Sequence, residues 1–179
     1  MPIKRLQISG VRNLQPLSLT PALGVNFIYG ENGSGKSSLL EALYILATGK
    51  SFRHHLLKPV IQHEMDECVL FSEIDDNRLG NGRLGVQRSR NGDKAIKLNG
   101  EALHSQAEAS SWLPVQIIEP NTFKLLSGSP QERRQFIDWG VFHVEHSFLD
   151  QWREFTKLIH QRNAVLKKQQ PDRWHGWER

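Results

Sequence analysis

The sequence predicts an α/β fold built around a phosphate-binding loop. Residues 30–37 read Gly-Glu-Asn-Gly-Ser-Gly-Lys-Ser and fit G-x-x-x-x-G-K-[ST] at every constrained position. A short apolar run at 25–29 leads into this motif, and helix-favouring residues 36–48 follow it. A strand-rich stretch then covers residues 67–99. A strand, a glycine-rich turn and a helix in this order are the context in which such a loop binds phosphate.

The strands are predicted from alternating or continuous apolar runs bounded by turn residues. They are expected at residues 3–8, 17–19, 25–29, 68–74, 84–90, 94–98 and 114–119. Asn91 and Gly92 separate two of these runs, and this pair favours a hairpin with a type I′ turn, in which both residues take a positive φ.

Three helices follow from periodicity and end signals. The helix at 36–48 is apolar nearly all round after its first turn, which predicts burial against a sheet, and Gly49 is a natural stop. Residues 129–132 open a second helix with Ser as N-cap, Pro first and Glu third. A final helix at 147–168 carries a seam that predicts a partner helix. The seam residues are Phe148, Trp152, Phe155, Ile159 and Leu166.

Composition excludes several classes of protein. With 38% apolar and 23% charged residues, the 179-residue chain matches a globular domain rather than a disordered one. Its single cysteine, Cys68, excludes a disulfide scaffold and a cysteine-based zinc site. No apolar run approaches the roughly 18 residues of a membrane span, and the N-terminus lacks a signal-peptide core, so a cytoplasmic location is expected. The net charge of +4 lies in residues 153–179, because residues 1–152 are neutral.

The residue types of the motif match the chemistry of triphosphate binding. Gly33 and Gly35 allow positive φ, so that successive N–H groups turn towards phosphate oxygens. Lys36 is placed to reach the β- and γ-phosphates, and the Ser37 hydroxyl to ligate Mg²⁺. The alternative is a glycine-rich turn with no ligand.

Two observations favour an ABC-type ATPase head over a small kinase or a GTPase: strands precede the strand of the loop, and a strand-rich insertion follows its helix. The sequence also resembles the RecF family of DNA repair proteins in order and spacing. The residues that carry this resemblance are 8–14, 30–42, 49–53, 119–126 and 128–139.

The resemblance implies an ABC/SMC-type head with a mixed sheet around the P-loop helix and an antiparallel β subdomain. Residues 1–140 would form this ATPase lobe, and residues 141–179 the start of a helical, lever-like second domain. It further implies ATP and Mg²⁺ binding, slow hydrolysis, an ATP-dependent homodimer and binding at single-strand/double-strand DNA junctions. The family acts with RecO and RecR to assist recombinase loading in gap repair, replication restart and the SOS response.

Site residues transfer by matching positions. The residues that match the family's ATP loop are Gly30, Glu31, Asn32, Gly33, Ser34, Gly35, Lys36, Ser37 and Ser38, with Ser37 as the metal ligand. By similarity to related heads, Arg12 and Asn13 are expected over the nucleotide. Arg12 would stack on the base or touch a phosphate; the alternative is a solvated residue at a strand end.

Two parts of an ABC-type ATPase are missing. Residues 126–131 look like a signature motif, but no apolar strand ending in Asp-Glu follows. Residues 115–119 imitate a Walker B strand, but only one acidic residue follows before Pro120. We reject both, assign no catalytic residue, leave hydrolysis uncertain, and interpret the sequence as the N-terminal portion of a longer chain.

Several residues keep two interpretations. Gln116 is a Mg²⁺-sensing glutamine or, preferably, a polar residue on an exposed strand face. Arg133 and Arg134 form a basic pair at the start of a helix. They are solvated, or they belong to a dimer or DNA surface. Three pairs of possible metal ligands lack a convincing third ligand, so a metal site is not expected; they are His54 with His55, His63 with Asp66, and His143 with His146.

The basic tail is a solvated helix face, a DNA contact, or part of a hydrophobic core whose other side is absent. Its residues are Lys157, Arg162, Lys167, Lys168, Arg173, Trp174 and Trp177. Two other functions remain open for the whole protein. One is a nucleotide-independent repair scaffold, and the less favoured is a transporter ATPase subunit.

Overall fold

The computed structural model describes residues 3–76, 79–119, 122, 124–145 and 147–169. The chain forms two compact units, residues 1–118 and 119–179. The boundary expected after residue 140 stays a prediction, and it lies within a helix of the second unit. His146 and the tail residues Arg173, Trp174 and Trp177 lie outside the described residues.

An antiparallel sheet of six strands forms most of the first unit, in the order β2-β1-β3-β4-β5-β6. The strands are β1 (Ile3–Ser9), β2 (Leu17–Leu19), β3 (Glu67–Asp76), β4 (Gly80–Ser89), β5 (Lys94–Leu98) and β6 (Glu101–Ala102). This sheet confirms the predicted antiparallel subdomain.

The hydrophobic core lies between one face of this sheet and two helices. Alternation along the strands puts Ile8, Leu70 and Val86 in register on the inner face, each 2% exposed or less. Helix α1 (Lys36–Thr48) adds Ile45 and Leu46, which are equally buried, and helix α2 (Gln106–Trp112) adds Ala109. The prediction that the P-loop helix is buried against a sheet is therefore confirmed.

The predicted strands at 25–29 and 114–119 are wrong, because the structure has no regular secondary structure there. A strand needs a neighbour to hydrogen-bond with, and no described strand pairs with either segment. Phe27 is 86% exposed, Tyr29 92% and Ile118 87%. The sheet is consequently antiparallel throughout the described residues, and its expected mixed part is not seen there.

The hairpin between β4 and β5 is confirmed, but its predicted turn type is wrong. Only Gly92 takes a left-handed φ, of 98°, whereas Asn91 does not. The Gly92 N–H donates to the Ser89 carbonyl at 3.1 Å, and the Ser89 N–H donates to the Asp93 carbonyl at 3.0 Å. The loop is thus one residue longer than a type I′ turn, with glycine at the single position that requires it.

The second unit is helical in its described residues, with helices α3 (Lys124–Ser127), α4 (Pro130–Val144) and α5 (Phe148–Gln169). The predicted start of α4 is confirmed, since the Glu132 carboxylate accepts the Ser129 N–H at 2.6 Å. Helix α5 covers the predicted range, and Trp152 and Phe155 of its seam are 45% and 62% exposed. None of the described helices is long and apolar enough to span a membrane.

Candidate nucleotide-binding site

The loop at 30–37 turns through two left-handed glycines, as the sequence predicts. Gly33 has φ 84° and Gly35 has φ 96°, a region that other residues enter only with strain. A Cβ on Gly35 would also lie 2.6 Å from Leu14 Cδ2, so a side chain there would have to displace Leu14 as well as take a left-handed φ. Gly35 is the N-cap of α1, and the free N–H groups of the first helical turn therefore begin inside the loop.

Lys36 closes the loop upon itself. Its ammonium donates to the Gly30 carbonyl at 2.8 Å and to the Glu31 carbonyl at 2.7 Å. These bonds hold the first turn of the loop over the start of α1, while the next residue, Ser37, is exposed. Lys36 and Ser37 therefore lie together at the positive end of the helix dipole, where an anion is stabilised.

Asn13, which precedes the loop in the chain, hydrogen-bonds to the loop and to helix α1. Its Nδ2 donates to the Gly33 carbonyl at 2.7 Å, and its Oδ1 accepts the Ser38 hydroxyl at 3.1 Å. One amide thus joins the apex of the loop to the first turn of α1. The structure brings Asn13 into the predicted site, where it positions the loop; direct contact with a nucleotide stays a prediction.

Glu41 was not predicted as a site residue, and it is fully buried on α1. Its carboxylate accepts the Arg12 Nε–H at 2.6 Å and an Arg12 Nη–H at 3.0 Å. The Ser51 hydroxyl donates to the same carboxylate, and Arg53 lies 3.9 Å from it. A lone acid inside an otherwise apolar helical run was the signal that could have identified this residue.

The Glu41 carboxylate stays ionised despite its burial. Desolvation alone would raise the pKa of Glu41. Hydrogen bonds from Arg12 and Ser51, together with the positive charges of Arg12 and Arg53, outweigh that effect and hold the pKa below its ordinary value. Glu41 therefore joins the segment before the P-loop, through Arg12, to the segment after α1, through Ser51 and Arg53.

Arg12 is not the solvated strand-end residue of the alternative interpretation. Its side chain is 20% exposed and forms a two-pronged ion pair with a buried acid. The residue also lines a depression of about 350 Å³ together with Lys58, His63 and Arg90. Arg90 is held there by donating to the carbonyls of Met65 and Gln62 at 2.7 Å. Lys58 and Arg90 make the rim of this depression basic.

Among the remaining candidates, Gln116 and Arg133 each donate a hydrogen bond to a backbone carbonyl. Gln116 is exposed, outside any strand, and its Nε2 donates to the Ile117 carbonyl at 3.2 Å. Arg133 and Arg134 are exposed on α4, where Arg133 donates to the Gly128 carbonyl at 2.9 Å. Within the described part of the chain, no three His, Cys, Asp or Glu side chains form a possible metal site. The metal-sensing, dimer and DNA roles of these residues stay predictions.

An antiparallel sheet packed on a P-loop helix defines this chain as part of an ABC-type P-loop ATPase head. The family model "RecF/RecN/SMC N terminal domain" matches residues 2–132. The chain belongs to this family.

Similar proteins agree with this assignment. The DNA replication and repair protein RecF of Pseudomonas syringae pv. tomato (strain ATCC BAA-871 / DC3000) is 45% identical over 93% of this chain and 46% of its own length. RecF of Stutzerimonas stutzeri (strain A1501) is 44% identical over 93% of this chain and 45% of its own. The chain thus spans about half the length of these curated relatives.

A solved structure described as the recombination mediator protein RecF-ATP in the RecFOR pathway matches with a TM-score of 0.79 and 28% identity. The match covers 93% of this chain and 45% of that one. A structure from a study of ATP-driven dimerisation of SMC ATPases matches with a TM-score of 0.64 and 19% identity. The match covers 78% of this chain and 99% of that one, and it shows that the two chains share a fold. The predicted fold class, an α/β ATPase head of the ABC/SMC type with an antiparallel β subdomain, is therefore confirmed.

Proposed function

We propose that this chain is the nucleotide-binding half of a RecF-type ATPase head that acts in DNA repair. The observation that carries the proposal is the loop itself, with its left-handed glycines, Lys36 at its centre and the N-terminus of α1 beneath it. Relatives over the same residues are named DNA replication and repair protein RecF, and one similar structure is described as RecF bound to ATP.

In this proposal the triphosphate of ATP occupies residues 30–37. Lys36 exchanges its two carbonyl partners for β- and γ-phosphate oxygens, because an ammonium binds an anion more strongly than a neutral carbonyl. The Ser37 hydroxyl and phosphate oxygens hold Mg²⁺, for which oxygen ligands are suited. Ser38 and Asn13 keep the loop in position, and the basic rim beside Arg12 attracts the polyanion.

Further properties of the whole protein belong to the same proposal. The whole protein forms an ATP-dependent homodimer in the cytoplasm and binds single-stranded and gapped DNA. Together with RecO and RecR, it assists recombinase loading during gap repair, replication restart and the SOS response. Phosphoryl transfer depends on positioning and charge neutralisation, so a site without its Walker B acids binds ATP without turning it over. Hydrolysis would then be a property of the whole protein, and this chain alone would bind ATP weakly.

The test is equilibrium binding of a fluorescent ATP analogue with Mg²⁺. We expect a saturable signal from the chain, and a loss of about tenfold or more in affinity in Lys36→Ala, since one charged contact with phosphate is removed. Lys94→Ala is the control, because it removes an exposed lysine of β5 and leaves the loop intact. No saturable signal from the wild type would instead support the nucleotide-independent scaffold, and equal affinities of the wild type and Lys36→Ala would show that the loop does not hold the triphosphate.

A further inference from the structure

Gly85 lies in the middle of β4 without a structural reason to be glycine. It pairs with Phe71 on one side and Lys97 on the other, and the register is continuous through all three. Its φ is not left-handed, and a Cβ added there would meet nothing within 4 Å. By contrast, a Cβ on Gly82 of the same strand would lie 2.7 Å from the Trp112 ring.

Glycine in a strand interior costs stability, and it usually marks a bulge, a crowded contact or the close approach of another molecule. The continuous register and the open space exclude the first two at Gly85. The third reason is left, which is the close approach of a ligand or another backbone to β4 on the outer face of the sheet.

The outer face has a depression at this point. It has a volume of about 600 Å³ and is lined by Phe71, Asn81, Arg83, Gly85, Lys97, Asn99 and Gly100. Neighbouring strands lie roughly 4.8 Å apart, so the Cα atoms of Phe71 and Lys97 are about 10 Å apart on either side of Gly85. A flat ring keeps about 3.5–4.0 Å from the atoms on each of its faces, so this spacing admits the thickness of one nucleobase in the gap over Gly85.

The charges around the depression favour an anion. Arg83 and Lys97 are exposed, and neither forms an ion pair with a described residue. In the next row across the sheet, Glu73 lies between Arg5 and Arg83. The cations of these two rows are Arg5, Arg83 and Lys97, and the one carboxylate is Glu73, so the rows have a net charge of +2.

We propose that this face of the sheet binds single-stranded DNA. One unpaired base lies over Gly85 against Phe71, and Arg83 and Lys97 contact the flanking phosphates. An aromatic platform beside cations is the arrangement that binds unpaired nucleotides with little sequence preference. A duplex would offer only its phosphates to this face and would leave the gap over Gly85 unused. The inference rests on the proposed function and deepens it, because it assigns the DNA binding proposed there to particular residues.

The decisive variant is Gly85→Val, which fills the gap and suits a strand interior. Binding is measured by fluorescence anisotropy of a labelled oligo(dT) of about 20 nucleotides, with the full chain and without ATP. We expect the affinity of Gly85→Val to fall about tenfold, which corresponds to the loss of one stacked base. Ala95→Val is the matched control, since it places the same valine side chain on the same face beside Gln87, outside the depression, and leaves the affinity unchanged.

The charge contribution is tested with Arg83→Ala and Lys97→Ala. Each is expected to weaken oligo(dT) binding and to lower the slope of log affinity against log salt by about 0.7, as expected for one lost phosphate contact. Lys94→Ala is the control, because Lys94 is three residues from Lys97 in the same strand and belongs to the opposite face.

Three results would overturn the proposal: no oligo(dT) binding by the wild type, wild-type affinity in Gly85→Val, or a duplex of the same length bound as tightly as oligo(dT). The fluorescent ATP analogue is titrated in parallel against Gly85→Val, where its affinity should match the wild type. Failure of the DNA site is thereby distinguished from failure of the nucleotide site.

Discussion

At the scale of single residues, the site depends on a buried acid whose carboxylate is bound by Arg12 and Ser51, which lie outside the P-loop motif. Glu41 holds Arg12 by two hydrogen bonds, and Arg12 itself has a left-handed φ of 46°. A residue other than glycine in that region carries strain and persists only where its surroundings hold it. The ion pair therefore fixes the segment from which Asn13 reaches the loop.

Glu41→Gln is predicted to destabilise the protein by about 2–3 kcal/mol at neutral pH, because it leaves the Arg12 guanidinium without a counter-charge. Urea unfolding measures this free energy. Glu101→Gln removes an exposed carboxylate on β6 and should change it by less than about 0.5 kcal/mol. Equal effects of the two substitutions would show that the buried ion pair contributes nothing to stability.

The same comparison has a predicted pH dependence. The pKa of Glu41 is lowered in the folded state, so its contribution is present above the unfolded pKa of about 4.3 and is lost as the pH falls through the folded pKa. The stability difference between the wild type and Glu41→Gln should therefore shrink as the pH is lowered below about 4. A difference that stays constant from neutral to acid pH would contradict this assignment of charge.

At the scale of elements, the P-loop helix is fixed at its C-terminus as well as its N-terminus. Gly49 ends α1 with φ 69° and donates its N–H to the Ile45 carbonyl at 2.8 Å. Gln106 and Ser110 of α2 donate to the Ala47 carbonyl at 3.2 and 2.8 Å. Strand β4 joins the same contact through Arg88, which donates to Gln106 at 2.9 Å.

Gly49→Ala is predicted to cost about 2–4 kcal/mol. A side chain there requires a left-handed φ, and its Cβ would lie 2.9 Å from an Arg88 Nη and 2.7 Å from Gln106 Cδ. Gly92→Ala is the matched comparison, because φ is 98° in the hairpin but the space around it is open, so only about 1 kcal/mol is expected. Thermal unfolding of both variants measures the difference, and equal shifts in Tm would show that the contact with β4 and α2 is not rigid.

At the scale of the whole molecule, the features that were predicted correctly are those that depend on residues close together in the chain. The loop at 30–37, the buried face of α1 and the capping of α4 by Glu132 all arise within a few residues of chain. Strand pairing and ion pairing depend on distant residues, and there the predictions were wrong or incomplete. The segment at 25–29 has the composition of a strand without a partner, and Glu41 meets a residue 29 positions away.

Stability should be distributed unevenly between the two units. The first contains the fully buried side chains of β1, β3, β4 and α1, whereas α4 has no buried residue among those described. Local opening is controlled by how much buried apolar surface is lost. Amides of β3 and β4 should therefore exchange with solvent at least two orders of magnitude more slowly, roughly, than those of α4.

Hydrogen exchange followed by mass spectrometry tests this distribution, with Ile45→Ala as the informative variant. Ile45 is 1% exposed in the core of the first unit, and its truncation should cost about 2–5 kcal/mol. If the units open separately, exchange accelerates in β3 and β4 while residues 130–144 keep the rates of the wild type. Acceleration in both units together would show a single cooperative structure, in which the stability of the helical unit derives from the core beneath the P-loop helix.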